Sequence, residues 1–178
     1  MKIKKIQHNT QKGFNLLELM ISISVMAILL ALAAPNQAAS IAASKIRTTS
    51  DSILAGLQSA RSEAISRNIA VAFVIDPNTT GWQVINTNSN AILNQKSANE
   101  NNFSFSITPT PSATTTVTFD GMGRTDNNID GSVTLTQLVI ANTTGQTAAK
   151  TLNIKIGAGG LAKICDPTVL DSTDVRAC

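Results

Sequence analysis

The sequence predicts an α+β protein in which a long N-terminal helix packs on an antiparallel β-sheet domain. Three observations support this fold class: an apolar run from Phe14 to Ala34, apolar residues at helical spacing up to about Asn68, and short alternating segments after that point. A chain of 178 residues can hold one such domain and an extension, but not two independent cores.

The charge distribution separates the first residues from the rest of the chain. Net charge is +3 and the isoelectric point is about 9.1. Four of the 14 basic residues lie within residues 1–13, which contain no acidic residue. The rest of the chain therefore contains ten basic and 11 acidic residues. The basic isoelectric point therefore indicates a targeting segment and gives no evidence for nucleic-acid binding.

The apolar run contains a single charge, Glu18. From Phe14 to Ala34 the run is long enough to form about 30 Å of helix and to cross a bilayer, and the lysines before it favour a cytoplasmic N-terminus. A secretory signal cleaved near Ala33 and a permanent membrane anchor are alternatives. Neither explains a carboxylate, whose insertion costs about 2–3 kcal/mol.

Gly13-Phe14, followed by Glu18, resembles the cleavage motif of type IV prepilins. The resemblance implies that a prepilin peptidase removes residues 1–13 by cutting after Gly13 and methylates the new amine of Phe14. It also implies that Glu18 pairs with the N-terminal amine of a neighbouring subunit in a filament core, since a carboxylate there needs an opposite charge. Asn15 and Leu17 replace the commonest family residues, Thr and Ile.

Pro35 resembles the proline that kinks or loosens the stalk helix of pilins, because proline removes a donor and clashes with the preceding turn. We therefore expect a transmembrane or filament-core helix over 14–35 and its amphipathic continuation over 36–68. The apolar face of the continuation is predicted to consist of Ile46, Ile53, Leu57, Ala60, Ala64 and Ile65. The solvated face is predicted to carry Arg61, Glu63 and Arg67, with Glu63 and Arg67 as an ion pair.

Residues 69–178 are predicted to form the β-rich domain. Ile69–Ile75 is expected to pair with "WQVIN" across the turn "DPNTTG". Further strands are predicted at "FSFSI", "TTVTF", "VTLTQLVI" and "TLNIKI". The polar stretches Thr87–Asn102 and Thr108–Thr114 are predicted to be surface loops.

Two further segments indicate which group of type IV pilin-like proteins the chain resembles. "LQSARSEAISRNIAV" and "VTFDGMGRT" resemble the signature of the FimT/GspH family of minor pilins and pseudopilins. Gly121 and Gly123 in the second segment are predicted to permit a tight turn or bulge. The resemblance implies a type IV pilin-like fold and a structural subunit that takes part in assembly of a type IV pilus or its tip complex. A type II secretion pseudopilin is the alternative.

The resemblance also implies the partners and the location. The partners are other major and minor pilins or pseudopilins, the prepilin peptidase and the inner-membrane assembly platform. Before assembly the chain is expected in the inner membrane, with its globular domain in the periplasm. After assembly it is expected in a pilus or pseudopilus.

Cys165 and Cys178 are the two cysteines. In an exported chain such a pair is predicted to form one disulfide, worth about 3 kcal/mol on the chain-entropy model, which ties down the tail. A metal site is disfavoured, because two thiols without a nearby imidazole are a poor ligand set.

An enzymatic function is not expected. His8 is the only histidine and lies in the leader, so the mature chain has no imidazole for a catalytic triad, a Cys/His dyad or a metal ligand. We predict no cofactor and no metal.

DNA binding is the third functional hypothesis. Some FimT-like proteins bind DNA through Gly-Arg-x-Arg just before a cysteine, and "GLAKIC" stands at the corresponding place with Leu161 for the first arginine and Lys163 for the second. Candidate DNA contacts are Arg124, Lys155, Lys163 and Arg176. Aspartates close to these positions favour the alternative, that the four basic residues are ordinary solvated surface charges.

Overall fold

The structure is a computed structural model that describes residue 13 and residues 15–97, 105–143, 151–171 and 173–178, with the side chains of 31–38 outside that description. The chain divides into two compact units, Met1–Ala38 and Ala39–Cys178.

One helix, α1, extends over Leu16–Arg67, 52 residues. It ends because Asn68 adopts a left-handed backbone conformation, with φ of 51°. The amides of Asn68 and Ile69 then donate to the carbonyl oxygens of Ile65 and Ala64, at 3.3 and 3.2 Å. This arrangement satisfies carbonyl groups that the helix would otherwise leave without partners.

Nine strands follow within the described part of the chain. They are Val71–Ile75 (β1), Trp82–Asn86 (β2), Ile92–Lys96 (β3), Phe105–Thr110 (β4), Thr116–Phe119 (β5), Thr125–Asp126 (β6), Gln137–Asn142 (β7), Leu152–Ile156 (β8) and Ala162–Cys165 (β9).

The strands form two sheets, ordered β3-β2-β1-β5-β6 and β4-β7-β8-β9. Every strand pair with a determined register is antiparallel, as predicted. The Thr125 amide donates to the carbonyl oxygen of Ala158 at 3.1 Å and joins the first sheet to the end of β8. The sequence predicted strands but did not predict their division into two sheets.

The core of the second unit joins α1 to both sheets in one cluster. The helix contributes Ile46, Ile53, Leu57, Ala60 and Ala64, each at most 1% exposed, as predicted. Phe73 and Phe119 from the first sheet, and Leu138 and Ile154 from the second, are fully buried against them. The prediction was wrong for Ile65, which is 46% exposed because it lies at the edge of the helix face.

Two predicted loops contain strand residues. β3 lies inside Thr87–Asn102, and β4 continues into the segment predicted as the loop Thr108–Thr114. β3 is an edge strand that pairs with β2 through its backbone; Ile92 is 51% exposed, and Leu93 packs against the core. The short strands β6 and β9 were also missed.

Candidate assembly site

The first turn of α1 is capped by Asn15. The amides of Glu18 and Leu19 donate to the Asn15 carbonyl oxygen at 3.0 and 3.2 Å, and the Leu17 amide lies 3.5 Å from Asn15 Oδ1. A polar residue just before a helix satisfies amides that have no partner inside it. Glu18 thus occupies the first turn, where the helix dipole favours a negative charge.

The predicted cleavage position lies just before this cap. Gly13 is exposed, and a Cβ added there would meet no described atom within 4 Å. Phe14, the predicted new N-terminus, lies outside the described residues. The cleavage and methylation sites therefore stay predictions.

Large apolar side chains cover α1 on all sides between Leu16 and Leu30, and they are 52–75% exposed. The hydroxyls of Ser22 and Ser24 donate to carbonyl oxygens one turn back, both at 2.7 Å, so these polar groups are satisfied within the helix. Among the described ion pairs, none includes Glu18. Such a helix is stable only in apolar surroundings, where its carboxylate needs a positive partner.

Within the part of the chain that the structure describes, no helix has the combination of length and hydropathy required to cross a membrane. The membrane span predicted over 14–35 includes Phe14, which the structure does not describe. It ends within 31–38, whose side chains are also not described. The kink predicted at Pro35 falls in the same region, where the backbone is part of α1.

Arg61 connects α1 to two turns of the sheets. Its Nε donates to the carbonyl oxygen of Gly123 at 2.8 Å. Gly123 and Gly160 have φ of 76° and 74°, and a Cβ added at Gly160 would overlap the Gly123 carbonyl group. These two glycines permit the turns to meet beside the guanidinium, because a side chain at either would be strained. Arg61 thus makes a structural contact, and the prediction that it lies on the solvated face of the helix was wrong.

The other charges on this face of α1 behave as predicted. Arg67 and Glu63 form an ion pair one helical turn apart, between Nε and Oε2. Both side chains are partly exposed, so the pair contributes only a few tenths of a kcal/mol. Gly123 adopts the predicted turn conformation. Gly121 also lies in a turn, as predicted, and it permits close approach of Asn68.

The C-terminal tail folds back onto the second sheet. A disulfide joins Cys165 to Cys178, with their Cα atoms 5.0 Å apart. Lys155 and Lys163 lie opposite each other on β8 and β9, and their Nζ atoms donate to the carbonyl oxygens of Cys178 and Ala177 at 2.9 and 3.2 Å. These lysines alternate with core residues along the strands, so the tail covers the sheet face opposite the core.

All four candidate DNA contacts have acceptors within the chain. Two are the tail-bound lysines. Arg124 Nη2 lies 2.9 Å from Asp120 Oδ2, and Arg176 Nη2 lies 2.6 Å from Asp174 Oδ2. The aspartates beside the two arginines would repel a phosphate, and each lysine already uses one of its donors on the tail. The structure brings three of the four together: Lys155 and Lys163 face each other across β8 and β9, and both donate to carbonyl groups of the two residues that follow Arg176.

The aspartates of these pairs are held in the ionised form. The hydrogen bond from the Arg124 amide is the main cause that lowers the pKa of Asp120. Donation from the Arg176 side chain lowers the pKa of Asp174 to about 2, and the same contact raises the pKa of Arg176. Both carboxylates are therefore charged at neutral pH and counter the neighbouring arginines.

Comparison with known proteins identifies the family. The family model described as Type II transport protein GspH matches residues 49–160, and the Prokaryotic N-terminal methylation motif matches residues 8–34. No curated protein sequence matches the chain.

The chain is similar to two crystal structures of the type IV minor pilin FimU from Pseudomonas aeruginosa, both at 18% identity. The first has a TM-score of 0.54 and covers 68% of this chain and 88% of FimU. The second has a TM-score of 0.48 and covers 66% and 90%. The first similarity supports the pilin fold, with its N-terminal helix and antiparallel sheets. Because the GspH model matches more than half of the sequence, the chain belongs to the GspH family.

Proposed function

We propose that this protein is a non-catalytic minor pilin subunit of a type IV pilus, matured by a prepilin peptidase. The observation that carries the proposal is an exposed helix, apolar on all sides, with one carboxylate in its first turn. It occurs in a GspH-family chain whose residues 8–34 match the methylation motif. A helix of this kind needs apolar partners, and other pilin helices supply them.

Maturation creates the charge that Glu18 needs. Hydrolysis of the Gly13–Phe14 peptide bond releases residues 1–13 and leaves an amine on Phe14, which the peptidase then methylates. A methylated secondary amine remains protonated at neutral pH. In a filament, the Glu18 carboxylate of one subunit pairs with this cation on its neighbour, which offsets the cost of burying both charges.

The surroundings of the subunit follow from the same role. The predicted helix over 14–35 anchors the chain in the inner membrane until the assembly platform moves it into the filament. The unit Ala39–Cys178 faces the periplasm and later the exterior, where its disulfide is stable. The partners are other pilin-type subunits.

A pseudopilin of a type II secretion system is the second candidate. The observation that favours it is the description of the matching family as a type II transport protein. Both machines use the same cleavage motif and helix, so the fold does not discriminate between them.

A deletion in the native host separates the two machines. The deleted strain is complemented with wild type, Glu18→Ala or the control Glu63→Ala, and surface pili, transformation and secreted hydrolases are scored together. We expect loss of pili with normal secretion, rescue by wild type and Glu63→Ala, and no rescue by Glu18→Ala. Loss of secretion alone would identify a pseudopilin, and rescue by Glu18→Ala would contradict the role of the carboxylate.

A further inference from the structure

A groove of about 460 Å³, the Arg61 groove, opens in the unit Ala39–Cys178. It lies between the C-terminal part of α1 and the start of β9. Its apolar walls include Ile65 and Leu161, which are 46% and 69% exposed, and Ala162. A volume of this size accommodates more than one side chain, so the groove can receive part of another chain.

β9 borders this groove and forms an edge of the second sheet. At the end of its hairpin with β8, the Gly157 amide donates to the Leu161 carbonyl oxygen at 2.9 Å. Hydrogen-bonded pairs alternate along an antiparallel ladder, so the backbone groups of Ala162 and Ile164 point away from β8. No described residue forms a hydrogen bond with them on that side. Two amides and two carbonyl groups are thus open at this edge.

The same edge accepts another segment of the chain farther along β9. The Asp166 amide, the next one that points outward, donates to the Arg176 carbonyl oxygen of the tail at 2.7 Å. Two other edges carry residues that discourage strand addition, since β4 contains Pro109 and β3 ends in Lys96. The charged side chain of β9, Lys163, is bound to the tail on the opposite face of the sheet. The edge beside the groove is therefore open to a further strand.

The groove also contains an incompletely used cation. Arg61 is half-buried, and its Nε donates to the Gly123 carbonyl oxygen. No hydrogen bond or ion pair joins its two terminal nitrogens to any described residue. None of the described residues that line the groove is acidic. A carboxylate from outside the chain would therefore complement the guanidinium.

The edge and the groove together define the chemistry of the occupant. An extended segment paired with β9 places every second side chain on the side of the sheet where Ala162 and Ile164 pack with the core. An apolar side chain on that side fills the groove between Ile65 and Leu161. A carboxylate two residues away lies on the same side and reaches Arg61, which is next to the turn before β9.

We propose that the Arg61 groove and the open edge of β9 bind an extended segment of a different pilin-type subunit, in which an acidic and an apolar residue stand two positions apart. The segment adds one strand to the second sheet through backbone hydrogen bonds, and its two side chains occupy the groove. The identity of the partner rests on the proposed function, because a minor subunit of a filament is surrounded by subunits other than its own copies.

Site-specific photocrosslinking in the native host tests this contact. The full chain carries a benzoyl-phenylalanine in place of Gln58, an exposed residue that lines the groove, and the adduct formed in irradiated cells is mapped by mass spectrometry. We expect an adduct with another pilin-type subunit, at a segment that contains the acidic and apolar residues two positions apart. The same photoprobe at Ile129, which is 66% exposed and does not line the groove, should not label that segment.

Substitutions on both sides of the contact test its chemistry. Ala162→Pro removes one outward amide at the first residue of an edge strand, where proline is tolerated, and should lower the adduct yield about fivefold. Ala162→Ser keeps the amide and should leave the yield unchanged. Replacing the mapped carboxylate of the partner by its amide should also lower the yield, and this change cannot unfold the chain that carries the photoprobe.

The outcomes separate the contact from the pilus role. The proposal is overturned if no adduct forms, if the adduct joins a second copy of this chain or a segment without the expected pair of residues, or if the yield is insensitive to Ala162→Pro or to loss of the partner's carboxylate. The expected adduct in a host whose pili survive deletion of this chain would support the docking site and contradict the pilus role.

Discussion

The Nε atom of Arg61 donates to the carbonyl oxygen of Gly123 at 2.8 Å, across 62 residues of sequence. This bond joins α1 to the turn between β5 and β6, and Gly160 brings the turn before β9 to the same place. The guanidinium therefore ties α1 to the first sheet at the point where a turn of the second sheet approaches.

Replacing Arg61 should destabilise the globular unit. Arg61→Ala removes a hydrogen bond to a charged donor and leaves a carbonyl group without its partner, at a cost of about 1–2 kcal/mol. Arg67→Ala, which breaks only the exposed pair with Glu63, should cost a few tenths of a kcal/mol. Urea unfolding of the full chain in detergent, followed by Trp82 fluorescence, measures both. Equal midpoints for the two variants would contradict the structural role of Arg61.

Gly160→Ala should lower the free energy of unfolding more than the addition of one methyl group would suggest. The new Cβ would overlap the Gly123 carbonyl group and would require a left-handed backbone conformation, so we expect a loss of about 2 kcal/mol or more. Gly159→Ala is the matched control, because a Cβ there meets nothing within 4 Å. Thermal unfolding of both variants provides the comparison. A Gly160→Ala protein as stable as the control would mean that the two turns do not meet.

Acid should weaken the tail through Asp174. The pKa of this carboxyl is lowered from 3.8 to about 2 by donation from Arg176. A depressed pKa in the folded state stabilises the fold above the unfolded pKa, and this contribution is lost as pH falls from about 4 through 2. Asp174→Asn should therefore show a shallower loss of stability over that interval. Urea titrations at pH 5, 4, 3 and 2 measure the difference, and identical slopes would contradict the contact.

DNA capture should be weak. Asp120 and Asp174 already neutralise Arg124 and Arg176 and would repel a phosphate. Lys155 and Lys163 each already donate to a carbonyl group of the tail. We expect negligible binding of the purified chain to duplex DNA at 50 mM salt, with no change in Lys155→Ala plus Lys163→Ala. Tight binding that weakens steeply with salt, and that this double variant abolishes, would restore the DNA-receptor hypothesis.

The helix and the main strands were predictable because their signals are local. The spacing of Ile46, Ile53 and Leu57 defined a buried face, and "WQVIN" coincides with β2. The C-terminal limit of α1 was predicted within one residue, since Asn68 tolerates the left-handed conformation that ends a helix, whereas the helix begins at Leu16 and not at the predicted residue 14.

Other features depend on long-range contacts and had no local signal. β3 pairs through its backbone at a sheet edge, so its polar side chains indicated a loop. Arg61 looked like any exposed charge on a helix, because its acceptor lies 62 residues away. The two sheets likewise follow from pairings that alternation alone does not specify.

The most direct test of the central claim is the N-terminus of the protein isolated from the native host. Mass spectrometry of the intact chain and of its N-terminal peptide identifies the first residue and its modification. The prepilin account predicts a chain that begins at N-methylated Phe14 in cells with prepilin peptidase and keeps residues 1–13 in cells without it. A chain that begins after Ala33, or that keeps its leader when the peptidase is present, would contradict the account.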